Sequence, residues 1–343
     1  MKKLLKIVSI FVLIAFVIGG YAFHKVVLAD NLVDNKAGQH TLYIRSNWNY
    51  DSLKTGLYPL LKNKKTFDLL ADRMNLPNRV IPGKYVLKNN LGNRGIIKKL
   101  RAGDYEEVRV VLKGDIRRKE IFGKIAQSLE VDSIELQNLM NNSQFLDSIG
   151  YNTDNWPCLF VANTYHFNWA TNARSVVKRF LKERELFWTD ERKAKAEKLG
   201  LSPNEVVVLA SIVDGEAMHD SELKTIAGLY LNRLKINMML QADPTVKFVA
   251  FQEGRQRVLN VDLQSPSPYN TYKYVGLPPG PVLFPSNKAI DAVLNPELND
   301  YIFMCAKADW TGYHWFEPQS GYNKHLQHRA DYGRALDERG IRE

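Results

Sequence analysis

Cysteine is scarce: Cys158 and Cys305 are the only two in 343 residues. Two sulfurs cannot build a zinc finger or ribbon, which leaves a single disulfide outside the cytoplasm or two free thiols as the open alternatives. None of the seven histidines falls in a His-Glu-x-x-His pattern. One Glu-x-x-His match exists, Glu216-Ala217-Met218-His219. It lacks the second such motif and the further glutamates that a helix-bundle metal site needs. No metal and no cofactor is therefore read. Zinc-finger spacing, an RNA-recognition signature and a basic region with heptads are also missing, so nucleic acid is not read as a partner. The net charge of +10 is left to solvated helix faces or to an anionic envelope. There is no internal repeat and no low-complexity segment.

What is present begins with an uncharged run from Ile7 to Phe23, preceded by Lys2, Lys3 and Lys6. At ~1.5 Å rise per residue it covers roughly 26 Å, close to the hydrocarbon thickness of a bilayer. The expected arrangement has residues 1–6 in the cytoplasm, 7–23 spanning the membrane and the rest on the extracytoplasmic side. A cleaved signal peptide ending at Val27-Leu28-Ala29 is the competing reading, but signal cores are usually shorter. Both export the bulk of the chain.

Residues 24–40 are polar and aperiodic and read as a tether. Then Thr41–Ile44 alternates as a strand, Tyr50–Leu61 and Lys65–Met74 carry helical spacing, and Pro82-Gly83 turns into the strand Lys84–Leu87. This is β-α-α-β order. A helix over Asn93–Arg101 ends at Gly103, a strand follows over Glu107–Leu112, and a helix over Arg117–Leu129. Residues 130–200 read as mainly helical, and Pro203–Ala217 and Ser221–Leu234 as two further helices. The fold class is α+β.

Ser202-Pro203-Asn204-Glu205 has the form of a capping box with proline at the first helical position. Behind it Val206, Leu209, Ala210 and Val213 recur at helical spacing, and extending that spacing lands on Glu216. Asp214 sits about 200° around the same helix and should face elsewhere. A carboxylate on an apolar stripe is costly unless paired, neutralised or used. A pKa raised to about 6 would leave roughly 10% of it protonated at pH 7, enough for acid catalysis.

Residues 240–285 are dense in Pro, Gly, Asn and Tyr. Leu240-Gln241-Ala242-Asp243-Pro244-Thr245 places an amide, a carboxylate and a hydroxyl around one proline turn, and Tyr269-Asn270-Thr271-Tyr272 and Gly276-Leu277-Pro278-Pro279-Gly280-Pro281 follow. Tyrosines stack on sugar faces while amides and carboxylates bond hydroxyls. A sugar-binding groove and a structural loop with aromatic anchors both fit.

Together with Ala210-Ser211-Ile212-Val213, Asn232-Arg233-Leu234, His314 and Phe316, the order and spacing of these motifs resemble the YceG-like endolytic murein transglycosylase family. The resemblance implies a membrane anchor, a small LysM-like subdomain over 41–103 and a catalytic domain over 104–343. It implies a lyase that cuts the MurNAc–GlcNAc bond of peptidoglycan strands and leaves 1,6-anhydroMurNAc ends. Glu216 would be the catalytic residue, with Gln241, Asp243, Asn270, Tyr272 and His314 as candidates for binding substrate. It further implies action at the inner membrane, with the catalytic domain in the periplasm and penicillin-binding proteins as partners. Asp214-Gly215 stands where the family more usually has Glu-Lys. A hydrolytic muramidase using Asp243 as second carboxylate, or a non-cutting peptidoglycan-binding scaffold, are the alternatives.

Overall fold

A computed structural model describes residues 2–114, 117–252 and 260–339; part of the 240–285 region, residues 253–259, lies outside them. The chain is a mixture of α and β structure, and among the described residues its strands pair two by two into three small sheets. It divides into two compact units. The first comprises residues up to Val110 with Ala126–Val131 and His166–Asn172; the second comprises Val111–Ile125, Asp132–Tyr165 and the chain from Ala173 on.

The first unit begins with helix α1, Lys2–Phe23, which continues as one wider turn over His24–Leu28. The span Lys6–Leu28 is long and apolar enough to cross a membrane, and none of its apolar window is buried in the protein. Next come β1 (Gln39–Ile44), α2 (Tyr50–Leu57), α3 (Lys64–Arg73), β2 (Gly83–Lys88) and α4 (Asn93–Ala102). Strand β1 pairs antiparallel with β2, from Gln39 opposite Lys88 to Ile44 opposite Gly83. Strand periodicity sends Leu42, Ile44, Tyr85 and Leu87 to one face, where they are buried against Leu53, Leu57, Phe67 and Ile97 of the helices. Asn49 and Asn63 cap α2 and α3 through their side chains. Gly103 closes α4 at φ 67°, a left-handed position that glycine takes without a Cβ clash.

Residues 24–40 are more than a tether. Leu32 is fully buried in the same core. Asn31 is buried too, and donates to Asn93 Oδ1 at 2.6 Å while accepting from Asn63 N–H at 2.7 Å. The lack of periodicity hid this, because two inward residues in an irregular segment leave no pattern.

Strand β3 (Glu107–Leu112) pairs with β4 (Asn163–Asn168), and the boundary between the units falls within both. The second unit holds α5 (Ile121–Ala126), α6 (Ser133–Asn141), α7 (Ser143–Ser148), α8 (Ala173–Phe187), α9 (Asp190–Lys198), α10 (Pro203–Glu216), α11 (Leu223–Lys235), α12 (Asp243–Gln252) and α13 (Asn287–Leu294). It ends with β5 (Tyr301–Ala306), β6 (His314–Pro318) and α14 (Tyr322–Glu338). Helix α10 is central and packs against α9, α11, α12 and α13. Every residue from Val206 to Val213 is buried. The expected stripe is thus a helix sheathed on all sides, whose apolar composition no single face accounts for.

Both cysteines are free thiols. Burial pushes the Cys158 thiol up to about 12, so it behaves as a small apolar side chain rather than a nucleophile.

Candidate active site

Helix α10 begins as its sequence dictates. Ser202 Oγ accepts from Glu205 N–H, and Glu205 Oε2 accepts from Ser202 N–H at 2.7 Å. The last helical residue is Glu216, at the end where the helix dipole opposes negative charge. Gly215 makes the approach of α12 possible: a Cβ there would lie 2.8 Å from the Pro244 ring and 3.0 Å from Leu283. Asp214 faces elsewhere, as the helical angle requires. Its carboxylate accepts from Ser286 N–H at 2.8 Å and Ser286 Oγ at 3.0 Å, and so holds the residue that caps α13.

Glu216 is half-buried. Its Oε1 accepts two hydrogen bonds, from Tyr230 Oη at 3.0 Å and from Asp243 N–H at 3.0 Å. Oε2 has no hydrogen-bond partner among the described residues, yet it is not sealed from solvent. The asymmetry assigns the oxygens: Oε1 is the fixed acceptor, and a proton carried by the group sits on Oε2. Burial raises the carboxyl from the ordinary 4.5 to about 7, and the Asp243 carboxylate adds to the rise. The Tyr230 hydroxyl, Lys247 and the Asp243 N–H pull the other way and lose. The balance lies higher than the rise to 6 expected from the sequence. About half of the Glu216 population is protonated at pH 7.

A cleft of about 880 Å³ opens at the end of α10, lined by Asp214, Gly215 and Ala217, the last two flanking Glu216, and by Arg117, Arg118, Trp156, Lys247, Phe248 and Phe251. Aromatic walls with the cations Arg117, Arg118 and Lys247 suit sugar rings that carry polar and anionic substituents.

The turn that delivers the Asp243 N–H is held from three directions. Gln241 adopts a left-handed φ of 48° and donates its N–H to Thr271 O at 3.0 Å. Ala242 N–H donates to Thr271 Oγ1 at 3.0 Å, and Thr245 Oγ1 lies 2.9 Å from the same hydroxyl. Arg233 of α11, buried, donates Nε–H to Ile302 O at 2.6 Å and an Nη1–H to Leu240 O at 2.5 Å. Asn232 supports α11 by donating to Asn299 O and Tyr301 O.

Of the residues singled out in the sequence, Asp243 and Tyr272 join Glu216 in one network, since Tyr272 Oη donates to Asp243 Oδ1 at 2.5 Å. Gln241 is adjacent and exposed, and its side chain has no hydrogen-bond partner among the described residues. Asn270 corrects the expectation of a cleft-lining amide. It is 0% exposed, donates to Leu263 O and Ser265 O at 3.0 Å each, and accepts from Tyr272 N–H. Its hydrogen bonds are consumed in shaping the loop. His314 is corrected likewise: its Nδ1 lies 3.0 Å from Glu222 Oε2 and its N–H donates to Glu222 Oε1 at 2.9 Å, which fastens β6 to the start of α11. His219 bonds Thr311 O and stacks on Tyr313, so the Glu-x-x-His pair does not converge.

Tyr230 is the residue that sequence reading missed. Its signal was there: a tyrosine on the buried face of α11 needs a partner for its hydroxyl.

Known proteins resemble this chain along most of its length. The family model described as the YceG-like family matches residues 42–331. An endolytic murein transglycosylase from Bacillus subtilis (strain 168) is 31% identical over 195 residues, 56% of this chain and 53% of the relative. One from Streptococcus pneumoniae (strain ATCC BAA-255 / R6) is 27% identical over 279 residues, 75% of this chain and 47% of the relative. This chain thus spans about half the length of the curated relatives it matches. A crystal structure of a YceG-like protein from Listeria monocytogenes shares the fold at a TM-score of 0.54 and 24% identity, covering 84% of this chain and 99% of that one.

Proposed function

This chain belongs to the YceG-like family, and we propose that it is a membrane-anchored endolytic lytic transglycosylase with Glu216 as its single catalytic acid and base. The observation that carries the reading is the carboxyl just described: half-buried between two residues that line a cleft, raised to about 7, held through Oε1 and open at Oε2. In the first step the Oε2 proton passes to the departing glycosidic oxygen as the bond to C1 of the muramyl sugar breaks. Tyr230 and the Asp243 N–H then stabilise the carboxylate that forms. In the second step Oε2 takes the proton of the C6 hydroxyl on the same sugar while that oxygen bonds to C1. The 1,6-anhydro ring closes and Glu216 is again protonated. An intramolecular nucleophile brings high effective molarity, so no second carboxylate is needed to place a water. Asp243 instead accepts from Tyr272 and raises the acid.

On this reading Lys2, Lys3 and Lys6 remain in the cytoplasm and the chain beyond the apolar helix lies on the periplasmic side of the inner membrane. The end of the apolar helix is bound into the first unit, where Asn93 Nδ2 donates to Val26 O at 2.8 Å and Asp30 bridges to Gly92. That attachment favours an anchor over a cleaved signal. The β-α-α-β core would serve as a LysM-like unit, and penicillin-binding proteins as partners in synthesis.

Digestion of purified glycan strands followed by mass analysis tests the chemistry. Wild type should yield ends one water lighter than reducing ends. Reducing ends would instead indicate a hydrolytic muramidase, and no fragments at all a binding scaffold. The pH profile supplies an independent check. Activity needs protonated Glu216, so kcat/KM should fall as pH rises through about 7. Asp243→Asn removes a charge that raises this group and should move the fall to lower pH. Tyr230→Phe removes a bond that favours the carboxylate and should move it to higher pH. Shifts in the same direction would contradict the network.

A further inference from the structure

Of the three cations that line the cleft at the end of α10, two are engaged within the chain. Arg118 donates through Nη1 to Asp154 O at 3.3 Å and through Nη2 to Thr153 O, and its guanidinium lies 4.9 Å from the Trp156 ring centre. Arg117 pairs with Glu120 at 2.6 Å. Lys247 differs: it is exposed and has no hydrogen bond or ion pair among the described residues. The acids that line the cleft are committed as well, Glu120 to Arg117 and Asp214 to Ser286.

Lys247 stands one turn after Asp243 on α12, ~6 Å along the axis. An acid and a lysine at this spacing commonly pair. Here Asp243 Oδ1 accepts from Tyr272 Oη instead, at 2.5 Å. The ammonium is left for an anion from outside the chain, one helix turn from the N–H that fixes Glu216 Oε1.

The transglycosylase reading, on which this inference rests, says which anion. Of the two sugars in the strand only the muramyl one carries an acid, a lactyl ether that is either free or extended by a peptide stem ending in carboxylates. It is also the sugar whose C1 bond breaks. We propose that Lys247 takes a carboxylate of this substituent and so selects strands that are anionic at the ring being cut. A compact charge on a flexible stem can meet a carboxylate from either source.

Binding there has a consequence for the acid. The charged and titratable groups that face Glu216 are Tyr230 and Arg233 from α11, Asp243 and Lys247 from α12, and Tyr272. Lys247 favours the charged form of Glu216. A carboxylate on the ammonium cancels that pull, so Glu216 keeps its proton to higher pH once such a strand is bound.

The test uses the full chain in detergent and two pairs of strands, stem-bearing and stem-free, each with its carboxylates native or converted to amides. At low salt the parent should show kcat/KM about threefold higher for the native member of at least one pair, the factor an exposed ion pair supplies. The pair that discriminates names the source of the carboxylate. Lys247→Met should lose the difference, Lys247→Arg keep it and Lys247→Glu reverse it, with unchanged melting temperatures showing that each is folded. In the parent the alkaline fall of kcat should lie at higher pH with native strands than with amidated ones. In Lys247→Met the two falls should coincide. A merely structural lysine would move neither readout. No preference in either pair, or a preference that survives Lys247→Met, overturns the proposal. If no form cuts any strand, the Glu216 reading fails, and competition for binding to Glu216→Gln, with and without Lys247→Met, still decides the preference.

Discussion

Glu216→Gln is expected to lose on the order of 10⁴-fold in turnover, because one group supplies both proton transfers, and at the same time to stabilise the protein at alkaline pH. Both effects have the same origin. The folded-state value of about 7 exceeds the ordinary 4.5, so between those two pH values the folded chain binds more protons than the unfolded one. Stability linked to Glu216 is complete below 4.5, declines as pH rises, and is lost once pH passes about 7. A difference of this size corresponds to about 3 kcal/mol. Glutamine does not titrate, and its oxygen can still accept from Tyr230 and the Asp243 N–H. The variant should therefore outlast wild type in thermal melts at pH 8 and lose that advantage at pH 4. A pH-independent gap between the two proteins would mean that the carboxyl is not held protonated by the fold.

Arg233→Leu should cost about 2–4 kcal/mol and disable the site without touching Glu216. The substitution strands Ile302 O and Leu240 O in a buried setting, each unsatisfied carbonyl costing roughly 1–3 kcal/mol. Burial itself disfavours the guanidinium and lowers its pKa, so relief of that desolvation offsets part of the loss. Leu240 leads directly into the turn that presents the Asp243 N–H. Once the turn loosens, Glu216 loses a donor that favours its charged form, and the alkaline fall in kcat/KM should move upward. Arg233→Lys keeps the charge but cannot span both carbonyls from one point, so it should fall between wild type and leucine. Equal melting temperatures for the leucine variant and wild type would remove Arg233 from this role.

How much of this could be read along the chain depends on the range of each interaction. The capping box at Ser202 and Glu205 closes within one turn, and helical angle alone separated Glu216 from Asp214. The β-α-α-β run was legible because strand and helix periods differ. Helix α12 was not, since Val246, Phe248, Val249 and Phe251 have modest helix propensity and Pro244 looks like a turn. The helix expected over Arg117–Leu129 is regular only from Ile121 to Ala126, preceded by a tight turn over Arg118–Glu120. Asn270 misled for a different reason. A Tyr-Asn-Thr-Tyr run looks the same whether its amide faces a ligand or the backbone of its own loop.

The sequence by itself determined where α10 starts, which of its acids continues the apolar spacing, and that an apolar helix precedes the rest. Those are matters of neighbours within a few residues, where backbone geometry leaves little choice. Only the tertiary structure decided that Tyr230 and the Asp243 N–H meet on one carboxyl oxygen, and that the residues on either side of Glu216 line a cleft. It also decided how far burial and a second carboxylate lift that acid. Partners 14 and 27 positions away are brought together by packing, and packing leaves no periodic trace in the order of residues.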